Sequence, residues 1–351
     1  MYQIWDESKA FPSFEKMKTI DGMEHVMLHE AIEGEYQFLL GAAIIKYQGN
    51  FYCSWGNSWR GENDDNTILA EKSSVDEGKT WENYRRISNV DTGFGRSHGV
   101  YYEHEGRLYA FCPKAKYELI DAYPELKMEV YVLNERGEYE YLGIVLDEDF
   151  WPMCEPIKLK DGTLLMAGLK ANGGKNAEGA VALCDGKDIT KWEMKVFPNP
   201  KGFRYWGETT VLNCGEELLA IVRGGGRNPN ALVSISRDNG QTWSGLEESN
   251  LPISHSKMYA GILANGERYL VFNVVDRGLR DTLAIAVGKE KFERVYVIRD
   301  GFDAPPKYWR FNEWCYPYAY EDREQQKLYV VYAKDKADCE LAIIPMQSLK
   351  Q

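Results

Sequence analysis

Apolar and polar residues group along the chain into short runs of strand length, and one arrangement recurs six times. A β-prone run, a turn and a second apolar-aromatic run read FLLGAAIIKYQGNFYCSW from Phe38, GRSHGVYYEHEGRLYAFC from Gly95 and WPMCEPIKLKDGTLLMAG from Trp151. The later copies are YWGETTVLNCGEELLAIVRG from Tyr205, SKMYAGILANGERYLVFN from Ser256 and EWCYPYAYEDREQQKLYVVY from Glu313. Gly49, Gly106, Gly162, Gly215 and Gly266 mark the turns, and Gln326 stands near that place in the sixth copy. Two strand-length runs around a glycine or polar turn predict a β-hairpin.

The hairpins return about every 55 residues, which leaves room in each unit for two more strands and a loop. Four strands per unit, repeated six times, predict an all-β fold: a six-bladed β-propeller of four-stranded antiparallel blades, formed by residues 1–351 as a single domain. A lone blade cannot bury both faces, so the blades must stack around an axis. Two β-sandwiches would be the other reading, but the spacing is regular and no linker interrupts it. The strand around Tyr2 to Trp5 is expected to complete the last blade, which ends near Leu341 to Pro345.

Composition sharpens this picture. The 351 residues include 32 glycines, 23 tyrosines and 10 tryptophans, as expected of many short strands joined by tight turns. A net charge of −12 argues against a nucleic-acid partner, which needs a basic face. It leaves open an anionic small ligand held by a few arginines. No run approaches the roughly 18 apolar residues of a membrane-spanning helix. The start, MYQIWDESKAFPSF, lacks the basic and apolar regions of a signal peptide, and the seven cysteines are scattered with no CxxC pair. Both point to a cytoplasmic protein with reduced thiols and no zinc site. No phosphate loop, dinucleotide fingerprint or metal-ligand cluster is present, so no cofactor is expected.

Two octads, Ser74-Val-Asp76-Glu-Gly78-Lys-Thr80-Trp81 and Ser236-Arg-Asp238-Asn-Gly240-Gln-Thr242-Trp243, both read S-x-D-x-G-x-T-W. Ser and Asp can bond the N–H groups of a turn, Gly can take positive φ, and Trp covers the turn. Each follows an expected third strand, Thr67 to Lys72 and Ala231 to Ile235. Degenerate versions stand at Cys184-Asp185-Gly186 before Trp192 and at Val287-Gly288 before Phe292. The octads resemble the Asp boxes of the sialidase superfamily of propellers, and the six-fold repeat extends that resemblance over nearly the whole chain. Asp boxes lie at the outer edge of blades, so they speak for the fold and not for activity.

In a propeller the innermost strands start at the mouth of the central channel, and side chains from several blades converge there. In the fourth repeat, Arg204-Tyr-Trp206-Gly-Glu208 followed by Ala220-Ile-Val-Arg223 resembles the sialidase segment in which a glutamate precedes a substrate-carboxylate arginine by some fifteen residues. The resemblance implies that Glu208 assists a tyrosine nucleophile and that Arg223 holds a carboxylate. In the sixth repeat it places that nucleophile at Tyr316, with Tyr318 as the second match. A carboxylate beside a phenol can take its proton, and a neutral nucleophile suits an anionic sugar. The resemblance also implies an acid in the loop Arg60-Gly-Glu62-Asn63-Asp64-Asp65-Asn66, where Asp64 has nearly the expected spacing and Glu62 is the alternative.

One departure stands out. Phe38-Leu39-Leu-Gly41 occupies the place of the first arginine of the sialidase carboxylate-binding triad, and no arginine is there. Arg96, Arg204, Arg227, Arg280 and Arg310 lie in segments that could supply a replacement. Arg96-Ser97-His98-Gly99 sets one of only five histidines at an inner strand start, which makes His98 a general acid/base candidate. Glu155 stands the same distance before Gly162 as Glu208 before Gly215. Lys257 is a further expected substrate contact. Among the aromatic residues at these mouths (Trp55, Trp59, Trp151, Tyr205, Trp206, Tyr308, Trp309 and Trp314), several must be core. Trp59 and Trp206 are the expected stacking platforms for a sugar.

These residues predict a glycoside hydrolase of sialidase-like type, removing a terminal acidic or deoxy sugar from an oligosaccharide. The missing arginine argues against strict sialidase activity. Related propellers include α-L-rhamnosidases that rely on a histidine, which His98 would fit. A polysaccharide lyase acting on uronate-containing glycans and a non-catalytic glycan-binding propeller are the alternatives.

Overall fold

The computed structural model describes residues 1–59, 61–62, 64–89, 93–116, 123–225, 230–253, 255–275, 280–308 and 311–350. Their strands form six sheets, antiparallel but for one short edge. Each is run through in chain order from the axis outward, apart from the edge strands that the N-terminal segment adds to the fifth and sixth. The inner strands are Phe38–Tyr47, Val100–His104, Phe150–Lys158, Thr209–Asn213, Tyr259–Ile262 and Trp314–Asp322. Each packs on the next, and the sixth packs on the first, so the ring closes. No α-helix occurs among the described residues.

The turn chemistry of the sequence explains the hairpins. In the first blade Tyr47 pairs with Asn50, and the two residues between them, Gln48 and Gly49, both have positive φ (49° and 84°). This is the two-residue turn whose twist matches that of the strands it joins. Glu105 and Gly106 repeat it in the second blade, at 50° and 75°.

The ring does not close where the sequence suggests. Tyr2 and Trp5 make isolated parallel bridges to Ser249 and Phe292, at the outer edges of the fourth and fifth blades. The strand that completes the sixth blade is Glu24–His29, paired with Asp338–Pro345. Between them, Lys18–Thr19 adds a short parallel edge to the fifth blade. The N-terminal segment thus runs along the outer rim before closing the ring.

The two Asp boxes have the same geometry. In the first, the Ser74 hydroxyl accepts from Gly78 N at 2.9 Å and donates to Asp76 Oδ1 at 2.8 Å. Asp76 also accepts from Thr80 N (2.9 Å) and Thr80 Oγ1 (2.7 Å), and Trp81 Nε1 donates to Gly78 O. Ser236, Asp238, Gly240, Thr242 and Trp243 repeat each bond. A Cβ on Gly78 would meet Leu341 of the sixth blade at 3.0 Å, and one on Gly240 would meet Leu165 of the third at 2.8 Å. Each box therefore closes its own turn and seals the joint with the preceding blade.

Asp76 is only partly covered, yet the hydrogen bonds from Thr80 and Ser74 hold its carboxyl down to about 2. A carboxyl whose folded value lies below its unfolded one stabilises the fold above the unfolded value and loses that effect as pH falls through the folded one. Asp76→Ala is therefore expected to lower the melting temperature at pH 7. The gap to the wild type should narrow as the pH is taken from 4 to 2. A gap independent of pH would show that the carboxylate charge is not what the box uses.

Candidate active site

Three inner strands carry bulges: between Leu40 and Ala43, between Pro152 and Pro156, and between Cys315 and Tyr318. A bulge re-aims the side chains next to it. The third puts Tyr316 in the left-handed region at φ 53°, a conformation that non-glycine residues rarely adopt. The buried Lys257 ammonium donates to the Pro317 carbonyl at 2.9 Å and so supports this bulge.

The bulge sets the Tyr316 hydroxyl on Glu208, to whose Oε1 it donates at 2.7 Å. Arg223 Nη1 donates to the other oxygen at 2.8 Å. The spacing of Glu208 and Arg223 follows from the fourth blade's hairpin. Glu208 immediately precedes its first strand and Arg223 follows its second, Leu218–Val222, with Arg223 N bonded to Glu208 O. Burial works to raise the Glu208 carboxyl, but the Arg223 guanidinium and the Tyr316 hydroxyl outweigh it and hold it below the usual carboxylate range. Burial, reinforced by the Glu208 charge, pushes the Tyr316 phenol far up. The resting pair is a carboxylate and a neutral phenol.

Tyr316, Glu208 and Arg223 line a pocket of about 320 Å³ together with Glu62, His98, Trp206, Arg280 and Lys336. This is within the range of small-ligand sites. Apolar walls come from Leu40, Tyr123, Trp151, Met153 and Leu169. Arg280 pairs with Glu313, and the Arg280 Cζ lies 5.8 Å from the centroid of the Tyr316 ring. Lys336 pairs with Glu62 at 2.8 Å and reaches Glu313 at 3.7 Å. Burial opposes the charge on Lys336, but Glu62 and Glu313 more than compensate and raise it.

The other expected residues lie elsewhere. Arg96 is buried in a two-point ion pair with Glu129, on the third strand of its own blade, and does not line the pocket. Arg204 is exposed and does not line the pocket. Asp64 caps its own loop, accepting from Asn66 N, while its carbonyl accepts from Thr67. Trp59 is exposed and rests against Tyr36 rather than facing the pocket.

Glu155, Lys257 and Tyr318 form a separate cluster off the pocket. Tyr259 donates to Glu155 Oε1, the Tyr318 hydroxyl accepts from Glu155 N, and Lys257 lies over the rings of Tyr259 and Tyr318. Arg227, Arg310 and Trp309 fall outside the described residues.

Two pocket groups escaped the sequence reading. Lys336 sits with Asp335 in the turn between the second and third strands of the sixth blade, both at positive φ, whereas the repeat pointed only to inner hairpins. Tyr123 comes from a connecting loop of the second blade, and nothing in its local sequence marks it.

Residues 152–330 match a family model described as a BNR repeat-like domain. No curated protein matches the chain. Among solved structures, a protein of unknown function from Dyadobacter fermentans superposes with a TM-score of 0.71 at 14% identity, over 92% of this chain and 99% of that one. A Hadza microbial sialidase gives 0.72 at 13%, over 92% and 69%. The sialidase of Trypanosoma rangeli, in complex with sialic acid, gives 0.68 at 15%, over 95% and 60%. At these identities the likeness is one of fold.

Proposed function

Because the chain belongs to the BNR repeat-like domain family and has the sialidase-type propeller fold, we propose that it is an exo-acting glycoside hydrolase. It would remove a terminal acidic sugar from an oligosaccharide. The observation that carries this reading is the hydrogen bond from the Tyr316 hydroxyl to Glu208, made in the wall of a sugar-sized pocket. A phenol kept protonated by its surroundings is a weak nucleophile until a base takes its proton, and Glu208 is ionised and in contact.

In the proposed reaction Glu208 accepts the phenolic proton as the Tyr316 oxygen attacks the anomeric carbon. The bond to the leaving oxygen breaks, and Glu62, in the protonated form that leaves Glu313 as the counter-charge of Lys336, supplies that oxygen with a proton. Water, deprotonated by Glu62, then attacks the glycosyl-tyrosine. Tyr316 leaves and recovers its proton from Glu208. Two displacements at one carbon give net retention. Arg223 and Arg280 would hold the sugar's acidic group, with Trp206 beside the ring.

A lyase needs a base strong enough to take a carbon-bound proton. Burial and the nearby Lys257 charge push the His98 imidazole down to about 3, against the opposing pull of Glu208, which makes it a poor proton acceptor.

The test uses a panel of 4-nitrophenyl glycosides of acidic sugars, followed by the fluorinated glycosyl fluoride of the sugar released. The expected results are a first-formed product of retained configuration and a mass increase on the peptide holding Tyr316. An inverted product, or a label on another residue, would remove Tyr316 from the nucleophile's role.

A further inference from the structure

The segment Phe38 to Gly41, left without an arginine, is packed at Gly41 by a side chain of the second blade. Gly41 has φ 68°, and a Cβ built there would lie 2.0 Å from His98 Cγ and 2.3 Å from its Cδ2. Gly56, paired with Leu40 across the hairpin, would place its own Cβ 2.7 Å from His98 N. Two glycines of the first blade thus make a seat that only an unsubstituted backbone can offer, and His98 occupies it. No side chain at position 41 can coexist with this ring.

His98 is fixed on its other sides as well. The Ser97 hydroxyl lies 3.2 Å from Nδ1, Trp151 Nε1 donates to the His98 carbonyl, and the rings of Trp151 and Tyr316 stand 5.1 and 5.5 Å away. The residue is 3% exposed and lines the pocket, yet Nε2 has no hydrogen-bond partner. Arg223 Nε, in the same pocket, is also buried without a partner. Buried polar atoms are nearly always bonded, so two orphans in one pocket mark positions that a ligand's oxygens fill.

We propose that His98 Nε2 donates a hydrogen bond to an uncharged hydroxyl oxygen of the bound sugar, making the pocket specific for a sugar that carries that hydroxyl. The acidic group then falls to Arg223 and Arg280 alone. The 3.2 Å contact accommodates two tautomers, and the donor role needs the one in which Ser97 donates to Nδ1 and the ring proton sits on Nε2. The titratable and charged groups around the ring are Lys257, Glu208 and Tyr316; burial and the Lys257 charge keep it neutral against the opposing pull of Glu208. A neutral donor in place of a guanidinium favours a hydroxyl over a second carboxylate oxygen. This inference rests on the pocket being a sugar site, as the proposed function requires.

The test measures binding by calorimetry on the Tyr316→Phe protein, which cannot turn substrate over. The probes are free N-acetylneuraminic acid, D-glucuronic acid and L-rhamnose. The tightest of them is compared with its monodeoxy analogues, in the His98 and His98→Phe backgrounds. One deoxy analogue is expected to bind about tenfold more weakly than its parent when His98 is present, and equally well when it is not. His98→Gln, which restores a neutral donor, should recover part of the loss. Gly41→Ala should reproduce the loss by displacing the ring, and affinity should stay flat from pH 5 to 8.

Equal binding by His98→Phe, no analogue that separates the two backgrounds, a fall in affinity across pH 6 to 7, or binding of none of the three sugars would each overturn the proposal. Hydrolysis by the wild type that ignores His98 would sink this inference and leave the hydrolase standing. His98-dependent binding without any hydrolysis would do the reverse.

Discussion

Tyr316→Phe is expected to abolish glycoside cleavage, and Glu208→Gln to slow it by roughly 10²–10⁴-fold, the usual worth of a positioned general base. The two variants fail for different reasons. Phenylalanine keeps the ring against His98 and Arg280 but removes the attacking oxygen. Glutamine keeps an oxygen able to accept the Tyr316 hydrogen bond but cannot take the proton. Glu208→Gln also leaves Arg223 without its charge partner. It should therefore be the less stable of the two, by less than the roughly 3–5 kcal/mol of breaking a fully buried pair, since Arg223 retains some exposure.

The pH profile carries the same logic. A base held below the ordinary carboxylate range stays ionised until the medium is strongly acidic. The Glu208 limb of kcat/KM should thus fall only at acid pH and disappear in Glu208→Gln. Steady-state rates with the most active 4-nitrophenyl glycoside, alongside thermal melts, check both. Full activity in Tyr316→Phe would end the tyrosine mechanism, whatever the substrate.

What the sequence could and could not reveal follows from the range of the interactions involved. The hairpin turns and Asp boxes are local, so glycines such as Gly49 and Gly78 mark them directly. The pairing of Glu208 with Arg223 is also nearly local, because one hairpin returns the chain to its start. Glu155 shows where counting fails. It stands at the same distance from its turn glycine as Glu208, but the bulge between Pro152 and Pro156 shifts its register, and it meets Tyr259 instead of the pocket.

Closure of the ring was misread for a related reason. Tyr2 to Trp5 and Glu24 to His29 are both short strand-like runs, and alternation does not name a distant partner. Lys336 was hidden because its turn belongs to no inner hairpin. The arginine missing from the segment Phe38 to Gly41 could be read, but not the ring that packs against Gly41, since that contact joins two blades.

Arg96→Met is expected to destabilise the fold by about 3–5 kcal/mol while leaving KM unchanged, because it strands a buried carboxylate. Arg96 and Glu129 are 2% and 1% exposed at the side chain and joined at two points, Nε to Oε2 at 3.0 Å and Nη2 to Oε1 at 3.3 Å. Glu129 also accepts from the hydroxyls of Tyr131 and Tyr141, and Lys114 reaches it at 3.7 Å. Among the described residues Lys114 is the second cation that reaches Glu129, and at that distance it compensates little.

The double variant Arg96→Met, Glu129→Gln should regain most of the loss. It removes the stranded charge and still gives both tyrosines an acceptor. Thermal or urea unfolding of the two variants measures the difference, and kcat/KM taken well below their melting temperatures separates the alternatives. A cation that held the substrate's acidic group would raise KM and leave stability alone. That outcome would return Arg96 to the binding site and require its pair with Glu129 to open when sugar binds.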